Sequence, residues 1–227
     1  MSAKAAARSV SGDDVPMIQP ALPLDWPVDD GDSEFIVTES NRIAVTHLER
    51  PALWPVFATL LTGPRKSGRS LLGRVFARRS GGRVIDDADR AEERMLFTAW
   101  NEAQSTRRPL LLIAEVPPPA WKIMLPDLAS RLSATPTVTL GAPDDDLIGR
   151  LLAKQLERRG LELTLEVRAY LIPRAPRSHH GVIALADALD TASLARRRAV
   201  TIPLARDVLG PLARDVLGPI DAPGEGS

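Results

Sequence analysis

Apolar positions along the chain alternate between short unbroken runs and longer stripes at helical spacing, the pattern of strands followed by covering helices. Val56 to Leu61 is the first run, suited to a parallel strand buried on both faces. Leu110-Leu111-Leu112-Ile113-Ala114 is the clearest, and Pro117-Pro118-Pro119 stops it. Val84-Ile85 and Thr137 to Leu140 are shorter strands. Between them, Ser70 to Ala77, residues 89–105 and Asp127 to Leu132 read as helices; Met95, Leu96, Ala99 and Trp100 recur on the core face of the second. Ser40 reads as the N-cap of an earlier helix through Ile43, Val45 and Leu48, ended by Pro51. The order describes an α/β fold, a parallel sheet with helices on its faces.

From Pro143 the pattern becomes purely helical. Asp144, Asp145 and Asp146 favour a helix start, and Leu147, Ile148, Leu151, Leu152 and Leu156 form a stripe that ends near Gly160. Two further helical segments, about 164–172 and 180–198, complete a small all-helical lid. Residues 1–33 lack a period and read as a flexible leader. Leu-Ala-Arg-Asp-Val-Leu-Gly-Pro occurs at 204–211 and again at 212–219, a local duplication too short for a solenoid. The expected organisation is a leader over 1–33, an α/β domain over 34–142, the lid over 143–210 and a flexible tail over 211–227.

Charge adds a local asymmetry to this picture. Lys+Arg and Asp+Glu balance at 29 each in 227 residues, so no global basic surface suggests wrapping of nucleic acid. Residues 1–40 carry Lys4 and Arg8 against eight acids, whereas residues 61–110 carry eleven Lys and Arg against six. Absence of cysteine excludes disulfides and thiolate metal sites, and no apolar stretch is long enough for a membrane span; a cytoplasmic protein is expected.

The candidate chemistry begins at residues 63–70, Gly-Pro-Arg-Lys-Ser-Gly-Arg-Ser. The spacing matches a phosphate loop, in which glycines free backbone N–H groups for phosphate oxygens. Gly63, Lys66, Ser67, Gly68, Arg69 and Ser70 are the candidate nucleotide contacts, with the Ser70 hydroxyl for Mg2+. Arg69 stands where the pattern has lysine; it keeps the charge but replaces a compact ammonium with a planar fork, which makes binding easier to support than turnover. Asp86 and Asp87 end the strand at 84–85, where an open α/β sheet places ligands, and the two could hold magnesium and a hydrolytic water, with Asp86 the metal candidate. Taken alone, the two acids fit an acidic strand-to-helix turn equally well.

The phosphate loop, the Asp-Asp strand end, the apolar strand before Pro-Pro, the segment Leu125 to Leu132 and the helical lid form an ordered set. Together they resemble the AAA+ module of the DnaA-related family and, within it, the Hda regulators that inactivate DnaA, from about residue 18 to residue 209. The resemblance implies an AAA+ phosphate-loop sheet with a helical lid. Leu125 to Leu132 looks like the family's box VII, which would make Arg131 an arginine finger acting in trans; between inward-packing Leu128 and Leu132 it is expected to project outward. Gln19, Leu22, Pro23 and Leu24 resemble the motif that docks on the DNA polymerase sliding clamp. The implied ligands are ADP or ATP with Mg2+. The implied partners are DnaA and the clamp, with DNA reached only through them, no membrane, and a homodimer allowed.

Three departures from the family pattern shape the functional expectation. Few residues separate the loop helix from Asp86, so the sheet should be shortened by an edge strand. Glu115 falls where the family carries a polar sensor, and its charge would repel a γ-phosphate. The lid's sensor position falls on Arg177 or His180, between which the sequence does not decide. The reading is therefore a replication regulator with little intrinsic hydrolysis; a self-sufficient ATPase and a clamp-tethered adaptor with a vestigial site are the alternatives.

Overall fold

The computed structural model describes residues 35–217, with side chains described as far as Pro211. Four strands, β1 (Ala58–Thr62), β2 (Arg83–Ile85), β3 (Leu110–Ile113) and β4 (Thr137–Thr139), form one parallel sheet in the order β2-β3-β1-β4. The central pair is buried along its whole length, whereas the three-residue edge strands are partly exposed. Short edges limit unwanted strand pairing. The first helix after the loop, α2 (Arg69–Ser80), leads directly into β2. The AAA+ sheet is thus shortened as the sequence implied, and no described strand pairs the outer side of β2.

Period-two alternation divides the central strands between two layers. Ala58, Leu60, Leu110 and Leu112 join one core with Leu96, Ala99 and Trp100 of α3 (Glu93–Thr106) and with Leu128 and Leu132 of α4 (Pro126–Ser133). The other face receives α2 and α1 (Arg42–Leu48): the Thr59 hydroxyl meets His47 Nε2 at 2.8 Å, and His47, Trp54 and Phe76 stack in sequence at centroid distances of 5.2 and 5.7 Å. The start of α1 differs from expectation. Asn41, not Ser40, is its N-cap; the Ser40 hydroxyl is engaged with Thr38 Oγ1 at 2.9 Å, and its N–H donates to Asp144 Oδ2 at 3.0 Å.

A second hydrophobic core is built mainly by the helices after Asp144, α5 (Asp145–Glu157), α6 (Leu165–Leu171), α7 (His179–Arg196) and α8 (Ile202–Leu217), with Ala175 and Val200 from between them and Ile36 packed against it. Asp144 caps α5 by accepting from Leu147 N at 2.7 Å. Its carboxyl is raised by burial but more strongly lowered by hydrogen bonds from Leu147, Ser40 and Thr38, and lies below the usual aspartate range. Helix α8 runs past residue 210, where the sequence reading ended the lid, and contains Pro211. Leu204 and Ala205 are buried in the lid core and Val208 and Leu209 pack on it, which anchors the first half of the helix.

The sheet core depends on its central strands. Leu112 is fully buried beneath α3, so Leu112→Ala should destabilise the protein by about 2–5 kcal/mol. Urea denaturation read by far-UV circular dichroism checks this; a loss below about 1 kcal/mol would mean that the site can collapse around the deletion.

Candidate functional site

The phosphate loop leaves the carboxyl end of β1 and turns into α2, as the spacing predicted. Two of its turns require glycine. Gly63 has φ +147°, and a Cβ there would lie 2.3 Å from the Leu140 carbonyl oxygen; Gly68, at φ +100°, is the N-cap of α2. With no side-chain cap and no acid in the first turn, the α2 N-terminus faces the loop with its positive end uncompensated. Ser67 is buried and its hydroxyl has no hydrogen-bond partner, an orphaned polar group inside the loop. These features fit a phosphate group.

Arg69 is buried, and its Nη1 donates to the backbone carbonyl of Ala114, one residue beyond β3. Sequence reasoning gave this guanidinium to phosphate oxygens; the fold gives one of its donors to its own main chain. The neighbouring Glu115 carbonyl accepts from Gly63 N at 3.4 Å, which sets Glu115 beside the loop with its side chain exposed. Lys66, in the left-handed region at φ 63°, is exposed, as is Ser70.

The acids lie further off. Asp86 and Asp87 follow β2, and β3 separates β2 from β1, so they stand about two strand spacings, roughly 10 Å, from the loop's strand. Both are exposed, and Asp87 adopts φ 48°. Among the described residues no cluster of three or more His, Asp or Glu is placed to hold a metal ion.

The lid contributes a residue that the sequence reading passed over. The His179 N–H, at the first residue of α7, donates to the Lys66 carbonyl at 3.0 Å, and its ring packs over Gly68 together with Phe35. Of the two sensor candidates, Arg177 pairs through Nη1 with Asp145 and His180 is exposed. The adjacent histidines at a lid-helix start carried the signal; the resemblance pointed to the second, and the helix turns the first toward the loop.

Arg131 lies on α4, and it does not project freely outward. It is half-buried, its guanidinium carbon 4.8 Å from the Phe97 ring centroid and 4.7 Å from that of Trp100. Its Nε is buried without a partner. The reason is the aromatic face of α3, which Met95, Leu96, Ala99 and Trp100 mark only as core. Gln19, Leu22, Pro23 and Leu24 lie outside the described residues.

Comparison with known proteins places this geometry. Residues 144–209 match the family described as Hda, lid domain. Over 118 residues the chain is 34% identical to an uncharacterized protein of Haemophilus influenzae, a stretch that is 52% of this chain and 51% of that one. The chain thus spans about half the length of that curated relative. Domain III of the Thermotoga maritima replication initiation protein DnaA superposes with a TM-score of 0.65 at 16% identity, covering 79% of this chain and 95% of that one. AMPPCP-bound DnaA from Aquifex aeolicus gives 0.56 at 17% identity, over 68% and 63% of the two chains. The Thermotoga maritima RuvB Holliday junction branch migration motor gives 0.60 at 15%, over 80% and 72%. These likenesses carry the AAA+ fold, and the lid match makes residues 144–209 similar to the lid domain of Hda.

Burial lowers the pKa of His179 below its ordinary 6.5, and the adjacent His180 lowers it further; burial also lowers His47. Below 6.5 the unfolded chain therefore binds more protons than the folded one. The stabilisation is complete above pH 6.5 and is lost as pH falls through the folded pKa values. His179→Gln should lose less thermal stability than the parent between pH 7.5 and 5.5. Titration of the His179 ring by NMR at or above 6.5 would contradict the burial argument.

Proposed function

We propose that this protein is a regulator of chromosomal replication initiation that holds ADP and stimulates hydrolysis of the ATP bound to DnaA, leaving DnaA inactive. The observation that carries it is the contrast between two arginines. In the loop, Arg69 gives a donor to the Ala114 carbonyl. On α4, the buried Nε of the Arg131 side chain has no partner and its guanidinium lies against two rings, an arrangement that suits its terminal Nη groups to an external oxyanion. A cation supplied in trans stabilises charge developing on a transferring phosphoryl group, an effect worth about 10³ to 10⁵ in rate in comparable systems.

The loop glycines, Lys66, Ser67 and the α2 N-terminus suit a diphosphate. The exposed Glu115 carboxylate beside Gly63 opposes a further anionic phosphate, so ADP binding at least as tight as ATP binding is the expected preference. A bound Mg2+ would neutralise phosphate charge, with Ser70 and Asp86 as its protein-side candidates. Arg177 and His180 remain lid candidates for nucleotide sensing once Arg177 leaves Asp145, and Asp87 for placing a water. Weak intrinsic hydrolysis follows from the engaged Arg69 and the distance of Asp86 from the loop's strand. The leader motif supplies the tether: Gln19 and Pro23 frame Leu22 and Leu24, apolar anchors in an acidic segment of the kind that fill pockets on a partner such as the sliding clamp.

Two experiments test these proposals. Arg131→Ala should leave ADP and clamp binding intact and cost about 1 kcal/mol of stability from the lost aromatic contacts. Clamp-dependent stimulation of DnaA's ATPase should fall by about 10²-fold or more. A variant that stimulates like the parent removes the trans-acting role. Leu22→Ala with Leu24→Ala should abolish clamp binding, measured by biolayer interferometry, with the melting temperature unchanged. Retained affinity would dismiss the leader motif.

A further inference from the structure

Helix α3 grips α4 at three points along one face. The Glu93 carboxylate accepts from Met124 N at 2.8 Å and Leu125 N at 2.6 Å, fixing the backbone that enters α4. Phe97 and Trp100, four and seven positions further on, lie on the same side of the helix. Their rings carry the Arg131 guanidinium at 4.8 and 4.7 Å. Trp100 Nε1 donates to Thr135 Oγ1 at 3.1 Å, and that hydroxyl donates to the Arg131 carbonyl at 2.8 Å. One helix therefore sets both the main chain and the side chain of Arg131.

The kind of grip matters chemically. A carboxylate would also orient a guanidinium, but it would occupy the N–H donors and cancel the charge. An aromatic ring holds the cation by its face and leaves the in-plane donors unused. The orphaned, buried Nε fits this picture: the side chain is placed by ring faces and not by a hydrogen-bonded partner. Resting on the reading of Arg131 as a trans-acting group, we infer that Phe97 and Trp100 are positioning residues, an aromatic platform that presents a fully charged guanidinium edge to a phosphoryl group on a neighbouring protein. Pre-set orientation removes the rotamer search that a long free arginine would otherwise make in the transition state.

Phe97 is only partly buried, so Phe97→Leu should fold while removing one ring face. At saturating regulator, Phe97→Leu should lower the maximal rate of DnaA-bound ATP hydrolysis at least about tenfold, with the half-saturating concentration unchanged. Phe97→Tyr should restore the rate. In the isolated protein, NMR should show an Arg131 Nε–H resonance shifted upfield by the rings, moving toward the free-arginine position in Phe97→Leu. Full stimulation by Phe97→Leu beside an inactive Arg131→Ala overturns the platform and leaves the trans-acting role standing. Full stimulation by Arg131→Ala overturns both. Should Phe97→Leu not fold, the parent's Arg131 resonance decides: an upfield shift upholds the stacking, and the free-arginine position overturns the platform.

Discussion

Every strand of the sheet is held by β1 or β3, and the pairing of these two, Ala58 with Leu110 through Leu61 with Ile113, fixes the geometry of everything above it. Because the pair is parallel and in register, the two strands end together. The loop at Gly63 therefore emerges beside Ala114 and Glu115, and hydrogen bonds from Ala114 N to Leu61 O and from Gly63 N to Glu115 O extend the ladder past the strands. The burial of Arg69 follows from this. The first residue of α2 sits close enough to the end of β3 to reach a main-chain carbonyl there. A guanidinium at least nine-tenths buried needs such an acceptor, since an unpartnered buried cation is far costlier than one that is hydrogen-bonded.

Hydrogen bonds involving backbone groups tie both ends of the lid to the sheet domain. Asp144 accepts from Ser40 and Leu147 with its two oxygens, tying the segment ahead of α1 to the start of α5. The His179 N–H bonds to Lys66 O at the other end of the lid. A nucleotide held by the loop would lie beside this second link. The Lys66 carbonyl that accepts from the lid belongs to the loop whose neighbouring amides would bind phosphate, so the lid is hydrogen-bonded to the loop itself.

How much of this could be read from the sequence depended on the range of the interaction. The runs at 56–61 and 110–114 have the composition of doubly buried strands, and the loop's glycine spacing follows from local backbone geometry; both were legible. The shortened sheet followed from counting residues between the loop and Asp86. Long-range hydrogen bonds were not legible: the Ser40 N–H donates to Asp144, 104 residues away, and the N-cap of α1 falls on Asn41. The two side chains whose surroundings differed most from expectation, Arg69 and Arg131, took partners from elements distant in sequence. Periodicity marked Trp100 as core correctly, yet periodicity is blind to what an aromatic face holds on its polar margin. His179 shows the same limit, because a one-residue offset in a helix rotates the side chain by about 100°.

The two arginines show how one residue type acquires opposite roles from its surroundings. Arg69 gives one donor to its own main chain, at a position where a free cation would favour tight ATP binding and turnover. Arg131 sits among ring faces that supply orientation without a counter-charge. A hydrogen bond to a carbonyl lowers the guanidinium's readiness to serve an incoming phosphoryl group, since that bond must be exchanged first; a stacked guanidinium loses nothing when an oxyanion meets its edge. The same sheet that binds one arginine inward thus leaves the other, on a helix set by α3, as the one the proposed trans-acting role would use. That division is what the proposal of action on a neighbour's nucleotide rests on.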